Sequence, residues 1–147
     1  MKLVLDTNTV LDWLLFEDPA ARLLSAAIQE RRVSLVVHAH ALEELQRVLQ
    51  YPRFALDADR RQQIFLQYEQ VADLFTATVA GDALPPAFPR CRDPDDDPFV
   101  ALAYLVGADA LVSKDRRVLG MRKRLRKFGG CADAAPVEAV THALRLE

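Results

Sequence analysis

The sequence predicts an α/β fold: a central parallel sheet with helices covering both faces. Two observations carry that expectation. Short apolar, often β-branched runs alternate with longer segments of helical periodicity, which is the order of a parallel sheet joined by helical crossovers. Leu3-Val4-Leu5 and Ala110-Leu111-Val112 are apolar at every position rather than at every second one, as strands buried on both faces are. The chain has 147 residues, 51% of them apolar. It carries no internal repeat, low-complexity stretch or linker, so one domain over residues 1–147 is expected.

The elements follow in order. Leu3-Val4-Leu5 reads as a buried strand, with Asp6 at its C-terminal end. Residues 7–16 read as a helix through the spacing of Val10, Leu11, Leu14 and Leu15. Pro19 restarts a helix over 20–31, with Leu23, Leu24, Ala27 and Ile28 on one face, and 33–37 is a second strand. The next helix, 39–50, stops ahead of Tyr51-Pro52, as helices do before proline. Asp57 or Asp59 caps a helix extending to about Phe75, followed by a weaker strand at 76–79. The prolines of 81–94 make that segment a loop. Asp97-Pro98 opens a helix to Val106, with Asp97 as N-cap and Pro98 as first helical residue. A buried strand at 110–113, a basic helix, a late strand near 131–135 and a short helix from Pro136 complete the chain.

Totals bound the function only loosely. The net charge of −2 predicts no polyanion partner. The distribution is less neutral: Asp93, Asp95, Asp96 and Asp97 form an acidic knot and 114–127 is strongly basic, a pattern that taken alone suits a solvated helix equally well. An acidic knot followed by a basic stretch suits a metal site beside a phosphate track. Cys91 and Cys131 have neither metal-knuckle nor redox spacing and read as ordinary thiols. The apolar run at the start is too short for a secretory leader, and no run approaches the ~20 residues that span a bilayer. No membrane partner and a cytoplasmic location are expected.

The chemistry rests on carboxylates. In open α/β sheets ligands sit outside the C-terminal ends of the strands, where Asp6 and Asp115 fall. On the helix after the second strand, Ala41, Leu42, Leu45, Val48 and Leu49 form the buried stripe. Glu43 points away from it, whereas Glu44 lies on its flank and reaches the sheet edge. In the knot, Asp96 falls three residues before Phe99 and seven before Ala103, in line with the core stripe Phe99, Leu102, Ala103 and Val106. Asp6, Glu44, Asp96 and Asp115 are therefore the candidate catalytic and metal-holding acids. Like charges ~4 Å apart repel by about 4 kcal/mol at an effective dielectric of 20, so either protons or a cation must relieve them. Oxygen ligands alone favour Mg²⁺ or Mn²⁺ over Zn²⁺.

With those residues in place, the chain resembles the PIN-domain ribonucleases over nearly its whole length. Leu5-Asp6-Thr7-Asn8 is similar to the family's first acidic motif, and Glu43-Glu44-Leu45 to the second with Glu44 in the acidic position. The run Asp93-Pro94-Asp95-Asp96-Asp97-Pro98-Phe99 resembles the third, with Asp96 as the metal acid. Residues 108–115, ending in Ser113-Lys114-Asp115, resemble the fourth. His38, Asp97 and Lys114 depart from the residues usual at their positions, and no presumed ligand is missing. The resemblance implies a three-layer α/β/α fold and Mg²⁺- or Mn²⁺-dependent hydrolysis of single-stranded RNA, with one or two ions. It also implies the toxin half of a bacterial toxin–antitoxin pair, with an antitoxin protein as partner and a homodimer as assembly.

Further candidates are weighed against plainer roles. Lys114, Arg116 and Arg117 are candidates for contacting substrate, against a solvated basic helix with Leu125 and Phe128 buried. Asn8 and Ser113 are candidates for contacting substrate by orienting a ligand or water, against simply bonding the backbone. His38 and His40 are read as structural, since no Cys or His cluster completes a site. Trp13, Phe54, Phe65, Tyr68 and Phe75 are read as core or oligomer contacts. Two rival functions remain: a catalytically inactive PIN-fold module that binds RNA or protein, and a haloacid-dehalogenase-type phosphatase with Asp6 as nucleophile. The second wants another aspartate two residues on, where this chain has Asn8.

Overall fold

The computed structural model describes residues 1–77, 84–130 and 132–146. Among the described residues five strands, β1 (Lys2–Leu5), β2 (Ser34–His38), β3 (Ala72–Phe75), β4 (Ala110–Val112) and β5 (Asp133–Ala135), form one sheet in the order β3-β2-β1-β4-β5. Every pairing is parallel. The helices are α1 (Thr7–Leu14), α2 (Arg22–Gln29), α3 (Ala39–Leu49), α4 (Ala58–Val71), α5 (Asp97–Leu105), α6 (Arg116–Leu119), α7 (Arg122–Phe128) and α8 (Val137–Arg145). This is the α/β/α arrangement of a parallel sheet between helical layers.

The central strands explain why the sheet is buried. Leu3, Val4, Leu5, Leu111 and Val112 are each at most 1% exposed, so no face of β1 or β4 is left for water. Full burial of such side chains stabilises by about 1.5–3 kcal/mol each. Helix α5 packs against both strands. Its run Phe99 to Ala103 is buried at every position, a helix enclosed on most sides rather than amphipathic. Strand order turns at β1: the chain moves outward to β2 and β3, then returns to β4 on the other side. The crevice at the C-terminal ends of β1 and β4 is thus the switch point where ligands of such sheets gather.

Three expectations are corrected. The helix read to Phe75 ends at Val71, and the strand read at 76–79 is β3, four residues earlier. Ala72 to Phe75 pairs with Leu35 to His38, and that pairing overrides the local helical periodicity. Residues 78 and 79 of the expected strand, 81–83 of the expected loop and Cys131 lie outside the described residues. The single basic helix is two, α6 and α7, joined at Gly120-Met121, with Val118, Met121 and Leu125 turned into the core. The cap of α5 lies one residue earlier than read: the helix begins at Asp97, with Asp96 in the cap position. The Asp97 side chain is drawn backwards instead, its Oδ1 accepting the Cys91 N–H at 2.6 Å. Among the described residues no helix is long and apolar enough to cross a membrane.

Candidate active site

The site grows from the end of β1. Asp6 is the N-cap of α1 and is only 5% exposed. Its Oδ1 accepts the Thr9 N–H at 2.8 Å and the Thr9 hydroxyl at 2.6 Å. Its Oδ2 accepts the Ser113 hydroxyl at 2.5 Å, from the end of β4. One bond is thus the usual cap to an otherwise orphaned helix N–H. The bond from Ser113 ties the ends of the neighbouring strands β1 and β4 together. Burial pushes the Asp6 carboxyl up; the bonds from Ser113 and Thr9 oppose that, and the charge of Asp115 adds to it. Tyr68, buried beneath, has its hydroxyl pushed up first by burial and then by Asp6.

Asp115 stands two residues beyond Ser113, as the N-cap of α6. Ser113 Oγ accepts the Asp115 N–H at 3.0 Å, so one hydroxyl joins Asp6 to the backbone of Asp115. The Asp115 carboxylate accepts from the Arg117 N–H at 2.7 Å and from its guanidinium at 3.2 Å. That side-chain bond is the largest influence holding the Asp115 carboxyl below its ordinary value. Arg117 also pairs with Asp93 at 3.1 Å, bridging the acidic knot to the end of β4.

Asp96 differs. It is half-buried, makes no capping bond, and its Oδ2 is buried without a hydrogen-bond partner. Its pKa is pushed up to about 6, first by burial and then by the charges of Asp115, Asp93 and Asp6, against which Arg117 acts. Three of the four predicted acids therefore share one electrostatic environment at the switch point. Asp95 is exposed and Asp93 half-buried.

Glu44 joins through a residue that sequence reasoning missed: the Thr7 hydroxyl donates to Glu44 Oε2 at 2.8 Å, linking α3 to the start of α1. Glu43 is exposed and Glu44 half-buried, as their places on the wheel predict. Thr9 was also missed, although a threonine three residues after a capping aspartate is a readable signal. Asn8 and Arg116 are exposed at the rim. Lys114 turns away, paired to Asp12 at 2.9 Å. His38 is buried against Phe99 with both ring nitrogens unpartnered, and burial first, then His40, pushes its pKa down to about 4. It is therefore a neutral ring at ordinary pH.

Among the described residues no three His, Cys, Asp or Glu side chains stand close enough to hold an ion as they are. The donor set nonetheless fits a hard divalent cation. The candidate ligands are all carboxylate oxygens, and the buried Asp96 Oδ2 has an unused acceptor beside two further acids.

A structure of VapBC2 from Rickettsia felis bound to a DNA fragment from their promoter contains a similar chain, with a TM-score of 0.58. It has 10% sequence identity over 91% of this chain and 98% of that one, a likeness of fold. No curated protein sequence matches. The PIN domain family profile matches residues 2–117, which span β1 to the start of α6 and contain all four acids. The chain belongs to the PIN domain family.

Proposed function

We propose that the chain is a divalent-metal-dependent endoribonuclease that hydrolyses phosphodiester bonds of single-stranded RNA, one domain over residues 1–147. Asp6, Glu44, Asp96 and Asp115 are the residues that hold Mg²⁺ or Mn²⁺. Family membership supports the nuclease class, since PIN domains are generally nucleases. The observation that carries the reading is the buried, unpartnered Asp96 oxygen beside Asp6 and Asp115 at the switch of strand order.

When bound, the cation supplies activation of a water molecule and neutralisation of charge on the phosphate. The chain's own residues prepare that chemistry. Thr9 and Ser113 fix the Asp6 carboxylate, and Thr7 fixes Glu44. Arg117 keeps Asp115 ionised and presents a guanidinium to an incoming phosphate. Asn8, Arg116 and Arg117 form the substrate-facing rim. Ser113, expected there too, is 1% exposed with its hydroxyl taken up by Asp6 and the Asp115 N–H, and Lys114 reaches RNA only by leaving Asp12.

The same reading makes the protein the cytoplasmic toxin of a toxin–antitoxin pair, with an antitoxin protein as partner and a second copy of the chain as a further one. The fold likeness to a chain of VapBC2, a toxin–antitoxin complex, supports it.

Incubation of purified protein with labelled single-stranded RNA and Mn²⁺ tests the activity. Cleavage is expected from the wild type. A fall of at least about 100-fold is expected for Asp6→Asn and for Asp96→Asn, beyond the range usual for outer-shell partners of a metal. Undiminished cutting by either variant removes that acid from the site.

A further inference from the structure

We propose that the concavity lined by Arg92, Arg116, Arg117, Gly120 and Arg124 is a pocket for a phosphate group of the RNA strand. This rests on the ribonuclease reading and extends it to residues that the acidic motifs do not contain. Its volume is about 450 Å³. Its walls come from three separate segments: Arg92 from the loop before α5, Arg116 and Arg117 from the first turn of α6, and Arg124 from α7. Gly120 contributes no side chain to fill it.

Charge in this hollow is left uncompensated. The basic stretch 114–127 divides by partner. Arg122 and Arg126 pair with Asp133, and Lys114 pairs with Asp12. The side chains that face the concavity do not divide its charge among acids in this way. Among the described residues Arg92 and Arg116 have no ion-pair partner, and Arg124 donates only to the Arg90 carbonyl oxygen, at 3.0 Å. Arg117 alone is engaged, with Asp115 and Asp93. Guanidiniums facing one hollow repel, and a tetrahedral oxyanion relieves that repulsion with paired, planar hydrogen bonds. Arg117 forms a wall of the hollow and touches Asp115, so a phosphate held there lies on the strand being presented to the acids.

The test is binding without cleavage. A single-stranded RNA with a 3′ fluorophore, made with either a 5′-monophosphate or a 5′-hydroxyl, is titrated with the full chain in EDTA over a series of salt concentrations. Each phosphate contact contributes about 0.7 to the slope of log affinity against log salt for single strands. Arg92→Gln and Arg116→Gln are each expected to lower that slope by about 0.7 and to weaken binding whatever the RNA sequence. Neither change removes a structural partner. Lys127→Gln, an equal charge change on the exposed side of α7, is expected to keep the wild-type slope. A larger loss on the 5′-monophosphate RNA identifies a terminal phosphate as the ligand; an equal loss on both identifies an internal phosphodiester. Wild-type slopes in both arginine variants, losses no greater than that of Lys127→Gln, or no binding of RNA by the wild type overturn the proposal. RNA cleavage with unaltered slopes sinks the pocket and leaves the nuclease; arginine-dependent binding without cleavage in Mn²⁺ does the reverse.

Discussion

Asp6 and Asp96 are two corners of one acidic group, and they are held in opposite ways. Asp6 lies at a strand end, and three donors from Thr9 and Ser113 fix both of its oxygens. Asp96 lies at a helix start, with one buried oxygen unpartnered and its pKa raised first by burial and then by acidic neighbours. The first carboxylate is part of the scaffold, since its bonds join β1, α1 and β4. Without a counter-ion the second costs stability, because an ionised acid among acids repels and an unpaired buried acceptor is desolvated without return. A fold retains such a group when something outside the chain completes it, as a bound cation does.

Among the ways to sharpen this comparison, the largest effect is expected at Glu44, the acid that α3 contributes to the proposed group. It is half-buried and tied to Thr7, whereas Glu43 beside it is exposed. Glu44→Gln is expected to lower RNA cleavage by about 100-fold or more, and Glu43→Gln to leave it within about twofold. The reverse pattern in a cleavage assay would put the acidic position on the other side of the helix and break the four-acid group.

Thr9→Val tests the scaffold corner. The substitution keeps side-chain shape and the backbone cap but removes the hydroxyl that reaches both Asp6 and the Val112 carbonyl oxygen. Hydrogen bonds to charged groups contribute about 1.5–3 kcal/mol, so a loss of about 2 kcal/mol is expected in urea unfolding at pH 7. For a chain of this length that corresponds to roughly 4–8 °C in Tm. A change below about 0.5 kcal/mol would mean Asp6 is no better anchored than Asp96, and the contrast between the corners would fall.

The parts of this architecture that were legible in the sequence are those set by local chemistry. Leu3-Val4-Leu5 and the run ending at Ser113 announce buried parallel strands, and the apolar stripe of α3 separates Glu43 from Glu44 without any structure. Elements decided by distant partners were not legible. Ala72 to Phe75 carries no strand signal of its own and becomes β3 by pairing with β2. Asp97 looks like the helix cap because proline follows it, yet the Cys91 N–H, contributed by the preceding loop, captures its carboxylate. Lys114 adjoins Asp115 in sequence, but Asp12 on α1 takes it away. Arg92 is separated from Arg116 and Arg124 by the whole of α5 and β4, and only the fold brings them to one hollow.

The smallest effect concerns the corner that is not satisfied, and its sign is the informative part. The Asp96 pKa is raised from 3.8 to about 6, so between those values the folded chain holds a proton that the unfolded chain has released. More protons on the folded state mean that stability falls as pH rises through this window, opposite to a salt-bridged aspartate. Discounted for a group that is partly solvated, the penalty is about 1 kcal/mol at pH 7. Asp96→Asn removes the charge and keeps the shape. In EDTA the variant is expected to be more stable than the wild type by about that amount at pH 7–8 and equal to it near pH 3. Addition of Mg²⁺ or Mn²⁺ is expected to raise the wild-type Tm and not that of Asp96→Asn, because only the intact acid gains a counter-ion in the folded state. Urea unfolding across pH, with and without the cation, measures both. A wild type more stable than the variant in EDTA at pH 7 would show that the Asp96 oxygen already has what it needs from the protein. The case for a cation at this corner would then be gone.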